Sequence, residues 1–273
     1  MSYVDANGIR IHFERTWARN RDGAPPPVIV FVHGLAIDSL ASFYLWFAAP
    51  SAEAGMDAIY YDLRGHGRTD LPPSPYRLDD FVDDLDALLA ALDVDVPVHL
   101  VGGSFGGTVA FSYASRHPER VASVVSLDAG PATELWAEHT RAALNALVDG
   151  VAPILAEVGV EGMIAQLRVT EGLRASRAFR SAHRVMANTT VLEDVFAGPL
   201  LDHEDIRSIR CPVLSVMGSE GFQRDDPTKL SRDLPDCRTE IVEGGDHFLL
   251  TSMPSTVRDL VLGWVREQHL VVA

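Results

Sequence analysis

Cysteine, positive charge and an apolar leader are all scarce in this 273-residue chain. Its two cysteines, Cys211 and Cys237, stand in no metal-ligand spacing, which excludes a disulfide framework and a cysteine-based zinc site. Buried apolar filler is their plainer use. Lys and Arg number 23 against 38 Asp and Glu, a net charge of -15 whose field repels phosphate backbones and anionic lipid headgroups. Neither nucleic acid nor a membrane is therefore expected as a partner. The opening "MSYVDANGIRIHFERTW" lacks a basic-then-apolar signal pattern, so a cytoplasmic location is expected, and "DANG" reads as a hairpin turn. The one long uncharged run, residues 96–115, carries glycines and serines and switches from strand to helix pattern, which fits a protein core better than a bilayer span.

What is present is apolar material in a regular rhythm. At 47% hydrophobic residues the chain has enough to bury a sizeable core, as one large domain or one domain with an insertion. The runs "VIVFVHG", "AIYYDLRG", "VHLVGGS", "VASVVSLDAG" and "PVLSVMG" are continuous apolar strands of the kind buried on both faces, and "RTEIVEGGDH" alternates more. Between them lie helical patterns, such as "LDDFVDDLDALLAALDV", with Phe81, Val82, Leu85, Leu88, Leu89 and Leu92 at helical spacing and acids opposite. The expectation is an α/β fold, a mostly parallel sheet with helices on both faces. The rhythm stops over residues 131–210, where only helical patterns broken by glycine and proline occur. The predicted organisation is a core of residues 1–130 and 211–273 and a helical lid, or cap, over 131–210.

Ligands of open parallel sheets bind beyond the carboxyl ends of the strands. "HLVGGSFGGTVAFSY" places Ser104 there, in a Gly-x-Ser-x-Gly pattern formed by Gly102, Ser104 and Gly106, after a strand and before a helix. Such a turn strains the serine backbone and demands small neighbours. It also sets the Phe105 amide at a helix N-terminus, where it favours negative charge. A phosphate loop competes for the same glycines, but no lysine stands near the turn. A weak nucleophile needs a base, and of ten histidines His247, in the glycine-flanked "EGGDHFLL", is best placed to supply it. His99 reads as core, and His183 and His203 fall in the lid. After "FVHG", the Leu35 amide is a candidate second donor to an oxyanion.

Four stretches, "VFVHGLA", "YYDLRGHGRTD", "LVGGSFGGTVAFSYASRHPERV" and "VEGGDHFLLTSMP", resemble in order and spacing the α/β-hydrolase-fold proteins of the lidded, cofactor-free esterase, lactonase and haloperoxidase-like branch. The resemblance covers the chain outside the lid. It implies Ser104 as nucleophile, His247 as general base, the Leu35 and Phe105 amides as oxyanion hole, and no cofactor or metal. Asp62, Arg64 and Gly65 of "DLRGHG" are carried over as a structural turn.

The chain departs from the family at the triad acid. The usual position is three residues after Gly218, and Gly221 stands there. Asp128, ending the strand before the lid, is the preferred replacement and Glu220 the alternative, with Asp225 and Asp226 also open. The acid matters because it orients the imidazole and stabilises the imidazolium.

The expected function is cleavage of an ester, lactone or thioester of an apolar small molecule through an acyl-enzyme on Ser104. Non-hydrolytic or carbon–carbon bond chemistry on the same scaffold, or ligand binding with little turnover, stand as alternatives. Apolar residues after the first central strand and in the lid suggest an apolar pocket. Arg168, Arg174 and Arg184 are open to binding a substrate carboxylate, though a solvated face is the plainer reading. Oligomeric state is not written in the sequence.

Overall fold

Asn7 and Gly8 both take positive φ (49° and 76°), the geometry of a two-residue hairpin turn. They join β1 (Ser2–Ala6) to β2 (Ile9–Thr16) as an antiparallel pair. The structure, a computed structural model, describes residues 2–20, 25–222, 226 and 228–272. The remaining strands are β3 (Val28–Val32), β4 (Asp57–Tyr61), β5 (Val98–Gly103), β6 (Val121–Leu127), β7 (Val213–Glu220) and β8 (Cys237–Asp246). They form one eight-stranded sheet in the order β1-β2-β4-β3-β5-β6-β7-β8. The hairpin joins antiparallel through β2 and β4, and the pairings from β4 onward through β8 are all parallel.

Helices link the strands. The body holds α1 (Ala41–Glu53), α2 (Leu78–Ala91) and α3 (Phe105–Arg116). Between β6 and β7 come α4 (Glu134–Thr170), α5 (Gly172–Asn188), α6 (Val191–Asp194) and α7 (His203–Ser208). The chain closes with α8 (Lys229–Asp233), α9 (Leu249–Ser252) and α10 (Pro254–Val272). Residues 96–115 become β5, α3 and their flanks, buried for most of their length.

Continuous apolar strands result because alternate side chains of β3–β7 enter two separate cores. Val30, Val32, Ile59, Leu100 and Val124 meet Phe81, Leu85 and Leu88 of α2 and Val109 of α3 on one face. Ile29, Phe31, Tyr60, Val101 and Val125 meet Phe43 and Phe47 of α1 and Val257, Val261 and Val265 of α10 on the other. Phe31 alone stacks on Tyr60 at 4.8 Å and touches Phe47 at 4.7 Å. Each such buried ring contributes about 1.5–3 kcal/mol.

The order of strands fixes where a site can form. From β3 the chain winds first to β4 on one side, then returns to β5 on the other. The crevice at that reversal opens beyond the carboxyl ends of β3 and β5, beside Leu35 and Ser104.

Candidate active site

Ser104 sits between β5 and α3 with φ 52° and ψ -125°, a strained backbone for a residue with a side chain. The surrounding glycines are obligatory for a spatial reason. A Cβ on Gly102 would lie 2.3 Å from the Gly106 carbonyl oxygen, and one on Gly106 would lie 2.0 Å from that of Val32. Strand, helix and the neighbouring strand therefore close to backbone contact, and the serine is pushed out at the turn. Its own amide donates to the Leu127 carbonyl at 3.0 Å, which ties the turn to β6.

His247, just past β8, faces Ser104 Oγ through Nε2 at 3.0 Å and Asp128 Oδ2 through Nδ1 at 2.6 Å. The carboxylate accepts, so Nδ1 carries the proton and Nε2 is free to take one from the serine. Asp128 follows β6 with φ 44° and a fully buried side chain. Its amide donates to Val216 at 2.8 Å, and its Oδ2 also accepts the Phe222 amide at 2.9 Å. The carboxylate that meets His247 thus comes from the end of β6, the strand before α4.

The glycine at the family's usual acid position has its explanation here. A Cβ on Gly221 would stand 2.2 Å from Asp128 Oδ1, in the space the relocated carboxylate fills. Glu220, the alternative acid, is exposed at the end of β7 and makes no hydrogen bond to His247. Its place is set by the sheet, where it pairs in register with Asp246. Asp226 is exposed and ion-paired with Arg232, and Asp225 lies outside the described residues.

The Leu35 loop is held by two buried imidazoles. His33 Nε2 accepts the Leu63 amide at 3.0 Å, so its proton is on Nδ1, which donates to the Gly34 carbonyl at 2.7 Å. That carbonyl shares its peptide plane with the Leu35 amide, and in a trans peptide the two point oppositely. Pinning the carbonyl on His33 therefore turns the Leu35 N–H away from the imidazole. His66 Nε2 accepts the Ala36 amide at 2.7 Å, while its Nδ1 donates to Arg64 O at 2.7 Å. Burial first, then the facing His33, drive the His66 pKa down to about 3, which keeps it an acceptor. Gly34 lies against Ser104, with its Cβ position 3.5 Å from Ser104 Cβ. Among the described residues, neither the Leu35 nor the Phe105 amide has an acceptor.

"DLRGHG" is a turn wrapped on one carboxylate. Asp62 takes the amides of Leu40 and Arg68 and faces His12 Nδ1 at 2.7 Å. Arg64 is spent on Asp84, with contacts of 2.7 and 2.6 Å and both side chains buried.

The helices between β6 and β7 touch residues that neighbour Ser104 and His247 in the chain. Trp136 of α4 stacks near Phe105 at 6.4 Å, and Arg174 of α5 bonds Thr251 in α9, shortly after His247. Arg184 donates to the carbonyls of Gly65 at 2.9 Å and Gly67 at 3.3 Å. Arg174 and Arg184 thus tie α5 to the body. Around His247 stand exposed Phe222 and Phe248. Among the described residues, no group of three or more His, Cys, Asp or Glu side chains gathers to hold a metal ion.

Residues 27–250 match the alpha/beta hydrolase fold family, and the chain belongs to it. It is 37% identical over 121 residues to the non-heme chloroperoxidase of Streptomyces lividans, covering 44% of this chain and 41% of that one. The chain thus spans less than half the length of that relative. It is 25% identical over 272 residues to the 2-(acetamidomethylene)succinate hydrolase of Mesorhizobium japonicum, covering 94% of each. Among solved structures, the enol-lactonase of Burkholderia xenovorans LB400 shares the fold at a TM-score of 0.68 and 20% identity, covering 97% of this chain and 100% of that one.

Sequence reasoning did not find Phe222 or the clamp formed by His33 and His66. No signal in the sequence pointed to the first, because the ring of Phe222 is placed by its backbone bond to Asp128. For the second, the signal was a pair of histidines in two turns that both end central strands.

Proposed function

We propose that the protein is a serine hydrolase cleaving an ester, lactone or thioester of an apolar small molecule through an acyl-enzyme on Ser104. Ser104 Oγ attacks the carbonyl carbon as its proton passes to His247 Nε2, and the negative charge of Asp128 supports the imidazolium. The carbonyl oxygen becomes an oxyanion that the Leu35 and Phe105 amides receive. Collapse expels an alkoxide or thiolate, which takes the proton from Nε2. Water, deprotonated by the same nitrogen, then attacks the acyl carbon and releases the acid. These steps draw on no metal or cofactor.

The observation that carries this reading is the unbroken chain from Asp128 Oδ2 to His247 to Ser104 Oγ, at 2.6 and 3.0 Å. The hydrogen bond between a carboxylate and the imidazole supports acyl transfer over the non-hydrolytic alternative, because it orients Nδ1 and favours the imidazolium. Phe222 and Phe248, exposed and in contact with His247, favour an apolar substrate.

The test is hydrolysis of a p-nitrophenyl ester and a thioester by wild type and Ser104→Ala, with mass spectrometry after an alkyl fluorophosphonate. The reading expects one adduct, on Ser104, and loss of turnover in Ser104→Ala. Turnover that survives Ser104→Ala but not His247→Ala would instead indicate proton-transfer chemistry. Ligand binding with no adduct and no product would indicate a binding protein.

A further inference from the structure

We propose that Phe222 is a positioning residue whose ring, lying flat on His247, supports the imidazolium that forms as Ser104 gives up its proton. The two ring centroids are 3.8 Å apart and the planes are inclined by 17°. Phe248 approaches the same imidazole edge-on at 5.3 Å and 69°. Phe222 is 69% exposed, so core burial does not explain where its ring lies. Its backbone supplies the reason: the Phe222 amide bonds Asp128 Oδ2, and the Gly221 amide bonds the Gly218 carbonyl at 3.0 Å. The loop that gives the acid in relatives here makes room for Asp128, donates to it, and lays an aromatic face on its partner.

The face of a phenyl ring is negative and attracts a cation within about 6 Å of its centroid. A neutral imidazole gains little from it. The attraction therefore appears with the charge on His247, which makes it a contribution to the transition state and not to substrate binding. Among the described residues, Asp128 is the charged group in contact with His247. Asp246 turns its carboxylate to the Phe248 amide and the Ser252 hydroxyl, and Glu220, in register with it, is exposed.

This proposal rests on the hydrolase reading of Ser104 and His247. Its test replaces Phe222 with a trifluorinated phenylalanine, which keeps the shape and cancels most of the ring's quadrupole, alongside Phe222→Leu. kcat and KM are measured with a p-nitrophenyl ester. The His247 ring protons, assigned by their loss in His247→Ala, are followed by NMR. The expected result is a kcat about two- to fivefold lower in the fluorinated protein with KM unchanged. Phe222→Leu should move the His247 ring protons downfield, because the ring current above them is gone. An unchanged kcat in the fluorinated protein, or unmoved His247 protons in Phe222→Leu, overturns the proposal. If wild-type Ser104 neither turns over the ester nor takes the fluorophosphonate, the hydrolase reading fails and this proposal falls with it. A downfield move in Phe222→Leu would then show that the ring contact itself exists.

Discussion

Gly221→Ala adds a single methyl group and should remove most of the activity. The backbone at Gly221 lies outside the left-handed region, so alanine meets no conformational penalty there. The cost is spatial, since the new Cβ would stand 2.2 Å from Asp128 Oδ1 and 2.7 Å from its Cγ, where ordinary contact begins at 3.4 Å. Relief requires the carboxylate to move by roughly 1 Å, because two non-bonded heavy atoms repel steeply inside their contact distance. The Nδ1 contact is 2.6 Å, and such a move takes it beyond hydrogen-bond range. Loss of the orienting acid in a serine triad costs on the order of ten-thousand-fold in turnover, so a fall in kcat of about 10²- to 10⁴-fold is expected with KM little changed. Steady-state ester hydrolysis measures it, with a circular dichroism melt to register an overpacking cost of about 1–3 kcal/mol. Asp128→Ala frees the space, so Gly221→Ala/Asp128→Ala should be no slower than Asp128→Ala alone. A Gly221→Ala protein that keeps kcat within about twofold of wild type would refute the assignment of Asp128, given the size of effect a lost acid produces.

Other consequences are as direct. Burial drives the pKa of His66 to about 3 and that of His99 to about 4, below the ordinary 6.5 of an imidazole. Between those values the unfolded chain binds protons that the native state does not, so stability is fully present above pH 6.5 and falls as the pH drops towards 4. His66 alone accounts for about 2 kcal/mol lost at pH 5, and urea unfolding at pH 7 and pH 5 should show a loss that shrinks in His99→Leu. Asp84→Ala leaves the Arg64 guanidinium buried without its carboxylate and should cost about 3–5 kcal/mol, read by thermal or urea unfolding. Arg184→Ala removes the donor to Gly65 and Gly67, and should raise hydrogen exchange in α5 while lowering global stability by only about 1 kcal/mol.

Much of this architecture was legible because backbone chemistry leaves marks in sequence. Apolar runs with no alternation announced strands buried on both faces, and the two cores of the sheet are the reason they look that way. Gly102 and Gly106 marked a closure to backbone contact, and the contacts that their Cβ atoms would make bear this out. Asp128 was harder to single out from Glu220, because the distance that matters is between the end of β6 and the loop after β8, which no local pattern encodes. A relationship of space and volume joins Gly221 to Asp128, far apart in the chain. Phe222 was invisible for a related reason: its ring is placed by a backbone bond to Asp128 and not by any apolar periodicity. The histidine clamp was hidden because "HG" and "GHG" read separately as turns, and only the fold brings His33 within 5.3 Å of His66.

The proposed mechanism requires Asp128, His247 and Ser104 to act as one unit. The most direct measurement is the rate at which an alkyl fluorophosphonate labels Ser104 in wild type, Asp128→Asn and Glu220→Gln, followed by intact mass. Equal rates are expected in wild type and Glu220→Gln, and a rate lower by about two orders of magnitude or more in Asp128→Asn. Slow labelling in Glu220→Gln with wild-type labelling in Asp128→Asn would contradict that mechanism.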